Sequence, residues 1–225
     1  MISVLLGFCL NLLPAQEVDQ ILADHFDAIG QNSLSSFRTC IIEGKIIQNG
    51  RLEYDFTTHV MRKHKVRTEL RIGKEVIIDV LNGGEGWHKD FNNQYDLSES
   101  EKRKLLFEGL IDSRLYFLQE QRIRLKSLGK KTIVDDRYFH LQADFDGTRY
   151  SFFIHEESKL LYRIIEEEMG AEKSITEITY YDYRDFGGIK IPLITRKIGP
   201  QGRVQTRIKE VAFDVTVSES LFTKP

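Results

Sequence analysis

Between Arg51 and Asp214 apolar and polar side chains alternate with period two in one short run after another. Leu52, Tyr54, Phe56, Thr58 and Val60 alternate with Glu53, Asp55, Thr57 and His59. Val66, Leu70 and Ile72 alternate with Lys65, Arg67, Glu69 and Arg71. Successive side chains of a strand point to opposite faces, so this pattern predicts antiparallel strands with one face packed inward and the other wet. The same reading extends to 37–48, 76–81, 85–91, 122–128, 137–145, 150–156, 160–168, 174–185, 189–198 and 203–214, about twelve runs in all. Asn49-Gly50, Gly73-Lys74, Asn82-Gly83-Gly84, Asp146-Gly147, Gly187-Gly188 and Gly199-Pro200-Gln201-Gly202 supply the turns between them.

Two segments break this rhythm. Val18, Ile21, Leu22, Phe26 and Ile29 recur at three- and four-residue spacing, which predicts a helix that Gly30 stops. From Ser98 to Glu120, Leu106, Leu110 and Phe117 form one helical row and Phe107, Ile111 and Leu118 an adjacent one. Leu105, Leu115 and Tyr116 widen the apolar surface. A helix with so broad an apolar face must be buried on more than one side or line an apolar cavity. Gly109 inside it costs about 1 kcal/mol against alanine, so the segment is expected to bend or divide. A meander of this kind can close as an up-and-down barrel or remain an open, bent sheet under a helical cover. The inserted helix favours the second. The expected fold is mostly β with α, a strongly curved antiparallel sheet forming an incomplete barrel of about eleven to twelve strands. An N-terminal helix and an inserted helical lid cover it. The helix pattern fits a lid over a lipid-sized pocket and a plain core plug equally well.

The first sixteen residues contain no charged side chain, and their apolar run from Ile2 to Leu13 is too short to span a bilayer. Leu13-Pro14-Ala15 before Gln16 resembles the end of an export signal, although no basic residue precedes the run and Leu13 is bulky for its place. The expectation is a signal peptide over residues 1–15, cleaved at Ala15-Gln16, and a single domain over 16–225. A buried N-terminal strand or helix is the alternative. Cys9 lies inside the apolar run behind bulky Phe8, a poor context for lipid attachment. Cleavage would leave Cys40 as the one cysteine, so an internal disulfide is excluded for the mature chain, and Cys40 is expected as a buried thiol.

Charge removes other classes. Thirty-two basic residues stand against 34 acidic ones, for a net charge of -2, without the cationic stripe that a nucleic-acid surface needs. No Gly-x-Ser-x-Gly elbow, phosphate-binding glycine loop or His-Glu-x-x-His occurs, and none of the six histidines is spaced as a zinc pair. His59, His140 and His155 fall on polar registers and are expected in solvent. Glu166-Glu167-Glu168 reads as a solvated strand end. No catalytic residue, metal or cofactor is therefore expected. Aromatic content is the stronger signal: fourteen Phe, nine Tyr and Trp87 are spread along the chain, with Tyr54, Phe56, Phe139, Phe145, Tyr150 and Phe152 on apolar registers. Such rings can pave a wall that grips acyl chains through area, and they can equally be ordinary core.

Three stretches together resemble the periplasmic lipoprotein-sorting proteins of the LolA/LolB-like superfamily. They are Ile21 to Gly30 with Phe37 to Gly44, Asn82-Gly83-Gly84-Glu85-Gly86-Trp87, and Tyr180-Tyr181-Asp182-Tyr183-Arg184-Asp185-Phe186-Gly187-Gly188-Ile189-Lys190-Ile191-Pro192. The closing Ser220 to Pro225 is similar as well. The resemblance implies an open, helix-covered barrel whose hydrophobic cavity holds lipoprotein acyl chains or another lipid, in a periplasmic carrier working with envelope membrane proteins. It also implies a basic residue on an early strand that helps close the lid, with Arg38 and Lys45 as counterparts. Tyr54, Phe56, Trp87, Leu106, Leu110, Phe117, Phe139 and Phe152 are the expected cavity residues. A non-enzymatic envelope scaffold with a filled core is the competing expectation.

Overall fold

Thirteen strands form one antiparallel sheet in the computed structural model, which describes residues 14–62, 64–109, 113–170 and 174–225. Helix α1 (Pro14–Ile29) and the short α2 (Gln31–Ser36) come first. Six strands follow: β1 (Thr39–Gln48), β2 (Leu52–Met61), β3 (Lys65–Ile72), β4 (Glu75–Asn82), β5 (Glu85–Lys89) and β6 (Gln94–Asp96). Helices α3 (Glu99–Gly109) and α4 (Arg114–Glu120) are the insertion. The second run is β7 (Lys126–Ile133), β8 (Asp136–Phe145), β9 (Thr148–His155), β10 (Leu161–Glu168), β11 (Ile175–Asp185), β12 (Lys190–Gly199) and β13 (Gly202–Phe213). A 3-10 turn, Glu219–Phe222, closes the chain. The expected export signal lies outside the described residues apart from Pro14 and Ala15, and so does Leu110.

The strand order is β6-β5-β4-β3-β2-β1-β13-β12-β11-β10-β9-β8-β7, with β6 and β7 as free edges. The sheet is thus open, as expected, with thirteen strands where about eleven to twelve were read from the sequence. The added strand is β6, three exposed residues paired to β5, too short to show a period. The insertion comprises two helices, as expected of a segment that bends or divides: α3 is described as far as Gly109, and α4 begins at Arg114 after the non-helical Ser113. The edge strand β7 runs over 126–133 instead of 122–128. Its side chains are mostly exposed and it bulges between Ser127 and Lys130, so little burial sets its register.

Cross-strand register separates the two faces. Phe56, Thr58 and Val60 of β2 are buried on the concave face, which also carries Leu141, Ala143, Tyr150, Phe152, Ile154, Ile164 and Ile178. One core cluster packs these β8–β11 residues against Val18, Ile21 and Leu22 of α1, Leu115 and Leu118 of α4 and Phe107 of α3. A second joins Ile29, Leu34 and Phe37 to Cys40, Ile42, Phe56, Val60, Ile189 and Ile191. A third lies on the convex face, where Val215, Val217, Leu221 and Phe222 of the C-terminal segment cover Val80 and Trp87.

Two glycines make the concave packing feasible. Gly30, at φ 72°, turns the chain between α1 and α2 and lies so close to the β11–β12 turn that a Cβ would fall 1.9 Å from the Gly188 carbonyl oxygen. Gly44 sits at the β1 bulge, where a Cβ would meet the Phe56 ring at 2.6 Å. Cys40 is fully buried, and burial pushes its thiol up to about 12, an inert state. His140 corrects an expectation. It is 7% exposed, stacked on Phe153 at 4.6 Å, with neither ring nitrogen hydrogen-bonded among the described residues. Tyr138 and Phe153 share the convex face with it, so a polar register there is not a wet one.

Candidate functional site

A cavity of about 640 Å³ lies between α3 and the concave face, within the ~300–1,000 Å³ usual for small-molecule sites. The first half of the sheet supplies Ile42 and Ile46 of β1, Phe56 and Thr58 of β2, Thr68 of β3 and Asp79 of β4. The second half supplies Leu161, Ile178, Tyr180, Ile191, Thr195, Lys197, Val204, Thr206 and Ile208. His25 and Ile29 of α1 and Leu34 of α2 close one side, while Leu105, Phe107 and Glu108 of α3, with Ser113 and Arg114, form the roof. Exposed Tyr95, Glu101, Lys104 and Lys190 stand at its border.

The predicted site residues distribute as follows. Phe56 lines the cavity. Tyr54 shares its register at the half-exposed end of β2, outside the lining set. Phe152 is fully buried in the β8–β11 core, and Phe117 and Phe139 pack against the same core. Leu106 is half-buried on α3, whereas its neighbour Leu105 faces the cavity. Trp87 pairs with Val80 on the convex face, one residue out of register with Asp79, which faces the cavity. Arg38 donates its backbone N–H to Asp214, and Lys45 pairs with Glu53 away from the cavity. The insertion therefore does two things: α4 plugs, and α3 roofs.

The roof is tied down on both sides. Ser98 and Glu101 make a capping box: Glu101 accepts from the Ser98 N–H at 2.8 Å and hydroxyl at 2.7 Å. Lys102 donates to the Gly84 carbonyl at 2.9 Å in the β4–β5 turn, and Arg103 pairs with Asp146 at 3.0 Å in the β8–β9 turn. The eleven-residue helix so bridges opposite halves of the sheet. Phe107 anchors it among Phe117, Phe145 and Tyr150, at ring distances of 5.3, 5.7 and 5.3 Å.

Polar groups enter the cavity in two places. Thr58, Thr68, Asp79, His88 and Tyr95 stand opposite one another on β2 to β6 and form one cross-strand rung. His88 Nδ1 and Asp79 Oδ1 are 2.8 Å apart. Burial opposes a charge on His88, but Asp79 and Asp90 outweigh it and raise its pKa above the ordinary value. The second group lies under the roof. Arg114 Nη1 donates to Glu166 Oε1 at 2.6 Å, its guanidinium lies 5.0 Å from the Phe107 ring centroid, and Lys197 faces Glu108 at 3.7 Å.

His25 and Ser113 meet at the cavity wall, a pairing that a nucleophile and base would need. Burial lowers the His25 pKa to about 4, so the ring is neutral. Its Nδ1–H donates to the Lys159 carbonyl at 2.8 Å, which leaves Nε2 to accept from the Ser113 hydroxyl at 3.1 Å. An imidazole of such low basicity, oriented by a carbonyl where triads use a carboxylate, is a poor general base. The pair fastens the start of α4 to α1. Among the described residues no group of three or more His, Cys, Asp or Glu side chains could hold a metal ion, and no helix is long and apolar enough to cross a membrane.

No protein-family model matches the chain, and no curated protein matches it. Solved structures do. A LolA superfamily protein from Nitrosomonas europaea superposes with a TM-score of 0.63 at 13% identity, over 94% of this chain and 98% of that one. An outer membrane lipoprotein-sorting protein domain from Vibrio parahaemolyticus gives 0.63 at 8% identity, over 90% and 94%. A DUF1329 family protein from Desulfovibrio piger gives 0.62 at 13% identity, over 90% and 97%. At such identities the likeness is one of architecture, and the architecture of this chain is the LolA-like fold.

Proposed function

We propose that residues 16–225 form a periplasmic binding protein that holds an acyl chain of a lipid or lipoprotein between α3 and the concave sheet, and carries it between envelope membranes. The observation that carries this reading is the cavity: it lies under a helical roof, and Ile42, Ile46, Phe56, Ile178, Ile191 and Ile208 give it an apolar lining. Each methylene moved from water into such a site contributes about 0.8 kcal/mol, so roughly ten methylenes give about 8 kcal/mol before association costs. The sorting function named for the Vibrio parahaemolyticus domain supports the same reading. Binding without covalent chemistry is supported by the weak basicity of His25 beside Ser113. Envelope membrane proteins would deliver and receive the cargo.

The test is to purify the chain without detergent, extract it and identify the extract by mass spectrometry. An acyl lipid, together with displaceable binding of a fluorescent fatty acid, is the expected result. Finding neither would overturn the reading. That outcome would favour an envelope scaffold instead, which the closed packing of Phe107, Phe117 and Phe145 under the α4 half also fits.

A further inference from the structure

The acids that line the cavity are already engaged, whereas its cationic groups keep donors to spare. Asp79 is taken by His88 at 2.8 Å, Glu101 by the Ser98 cap, and Glu108 faces Lys197 at 3.7 Å. Lys104 and Lys190, which share the lining, make no ion pair among the described residues. Arg114 is the deep member of this set, with a side chain 15% exposed. Its one hydrogen bond, from Nη1 to Glu166, uses one side of a planar fork. The Nε and Nη2 donors, which form the bidentate edge that matches a carboxylate or phosphate, have no acceptor among the described residues. Tyr180 of β11 lines the same wall within electrostatic reach of Arg114, and its hydroxyl makes no hydrogen bond among the described residues. Burial raises the Tyr180 pKa, so the phenol keeps its proton and can donate.

We infer that the ligand is an amphiphile with an anionic head, and that Arg114, seconded by Tyr180, binds that head while the tail lies along Ile42, Ile46 and Ile208. This rests on the acyl-binding reading above and adds the polarity and orientation of the ligand. Glu166 keeps the guanidinium paired at a buried position, where a lone charge would be costly. Because Glu166 takes Nη1, an incoming anion can use the Nε–Nη2 edge without displacing it. Carboxylate and phosphate monoester heads share this chemistry.

The experiment measures dissociation constants by displacement of a fluorescent fatty acid, using oleate, oleoyl lysophosphatidate and neutral oleyl alcohol. Three proteins are compared: the native chain, Arg114→Gln and Glu166→Gln. Arg114→Gln should weaken oleate, lysophosphatidate or both by tenfold or more and leave oleyl alcohol within twofold. The anion that responds identifies carboxylate or phosphate as the head. Glu166→Gln breaks the same ion pair yet keeps the cation, so it should bind the anion at least as tightly as the native chain. A purely structural Arg114–Glu166 pair predicts that both variants lose all three ligands alike, which would overturn the inference. If the native chain binds oleyl alcohol as tightly as either anion, the head-group inference fails and the acyl-binding reading stands. If it binds none of the three, both fail.

Discussion

Phe107→Ala tests whether α3 is a roof that can lift separately from the sheet. Phe107 is 5% exposed and is the one fully buried apolar side chain of α3 among the described residues, Leu105 and Leu106 being half-buried. Truncating a buried phenylalanine costs about 3–5 kcal/mol. The low ends of the contacts here already reach that range: burial contributes at least about 1.5 kcal/mol, each of two edge-on ring pairs at least about 0.5, and the Arg114 guanidinium at least about 0.5. What would still hold α3 is the pair of ties to Gly84 and Asp146, which are exposed and worth about 0–1 kcal/mol each. The substitution should therefore open α3 locally. A loss of about 3 kcal/mol corresponds to roughly a hundredfold faster amide exchange. Hydrogen–deuterium exchange read by mass spectrometry should show that acceleration over 99–109 and leave β1, β2 and β13 protected. Uniform acceleration across the sheet, with a matching fall in global stability, would refute the separation of roof from core.

Other outcomes follow from single features. Gly30→Ala places a methyl against the Gly188 carbonyl at a left-handed backbone position, and should lower stability in urea by about 1–3 kcal/mol. Arg103→Ala should change global stability by under about 1 kcal/mol, because its pair with Asp146 is exposed. The same change should speed amphiphile release in stopped flow, and added salt should mimic it. His25 titrates at about 4 when folded against about 6.5 when unfolded, so the unfolded chain binds its proton first as pH falls. The stability this gives is complete above about pH 6.5, is lost between about 6.5 and 4, and amounts to about 3 kcal/mol. His25→Gln should flatten that part of a stability profile measured by urea denaturation.

The open sheet and the split insertion were legible because each follows from a local rule. Period two places strands, a glycine inside a helical pattern signals a segment that bends or divides, and thirteen strands differ from the twelve runs read only through three-residue β6. Helix α2 escaped because its six residues, QNSLSS, present one apolar side chain, Leu34, and no period. The site was less legible for a geometric reason. Alternation says which residues share a face and is silent on which face is concave, so Trp87 and Phe56 look alike although the C-terminal segment covers one and the cavity meets the other. The rows of Ser98–Glu120 likewise do not separate α4 side chains that fill the core from Leu105, which faces open space. Arg114 and Glu166 were missed because a charge on a helix or strand reads as solvated until its partner is seen across 52 residues of chain.

Native mass spectrometry of the detergent-free chain beside an Ile46→Trp variant bears most directly on ligand storage under α3. Ile46 faces the cavity from β1 opposite Thr206, another lining residue, so an indole there takes the ligand's space without entering the β8–β11 core. The account predicts one bound amphiphile on the native chain and none on the variant, with both proteins melting within a few degrees of each other. Equal occupancy of the two, or an empty native chain, would contradict it.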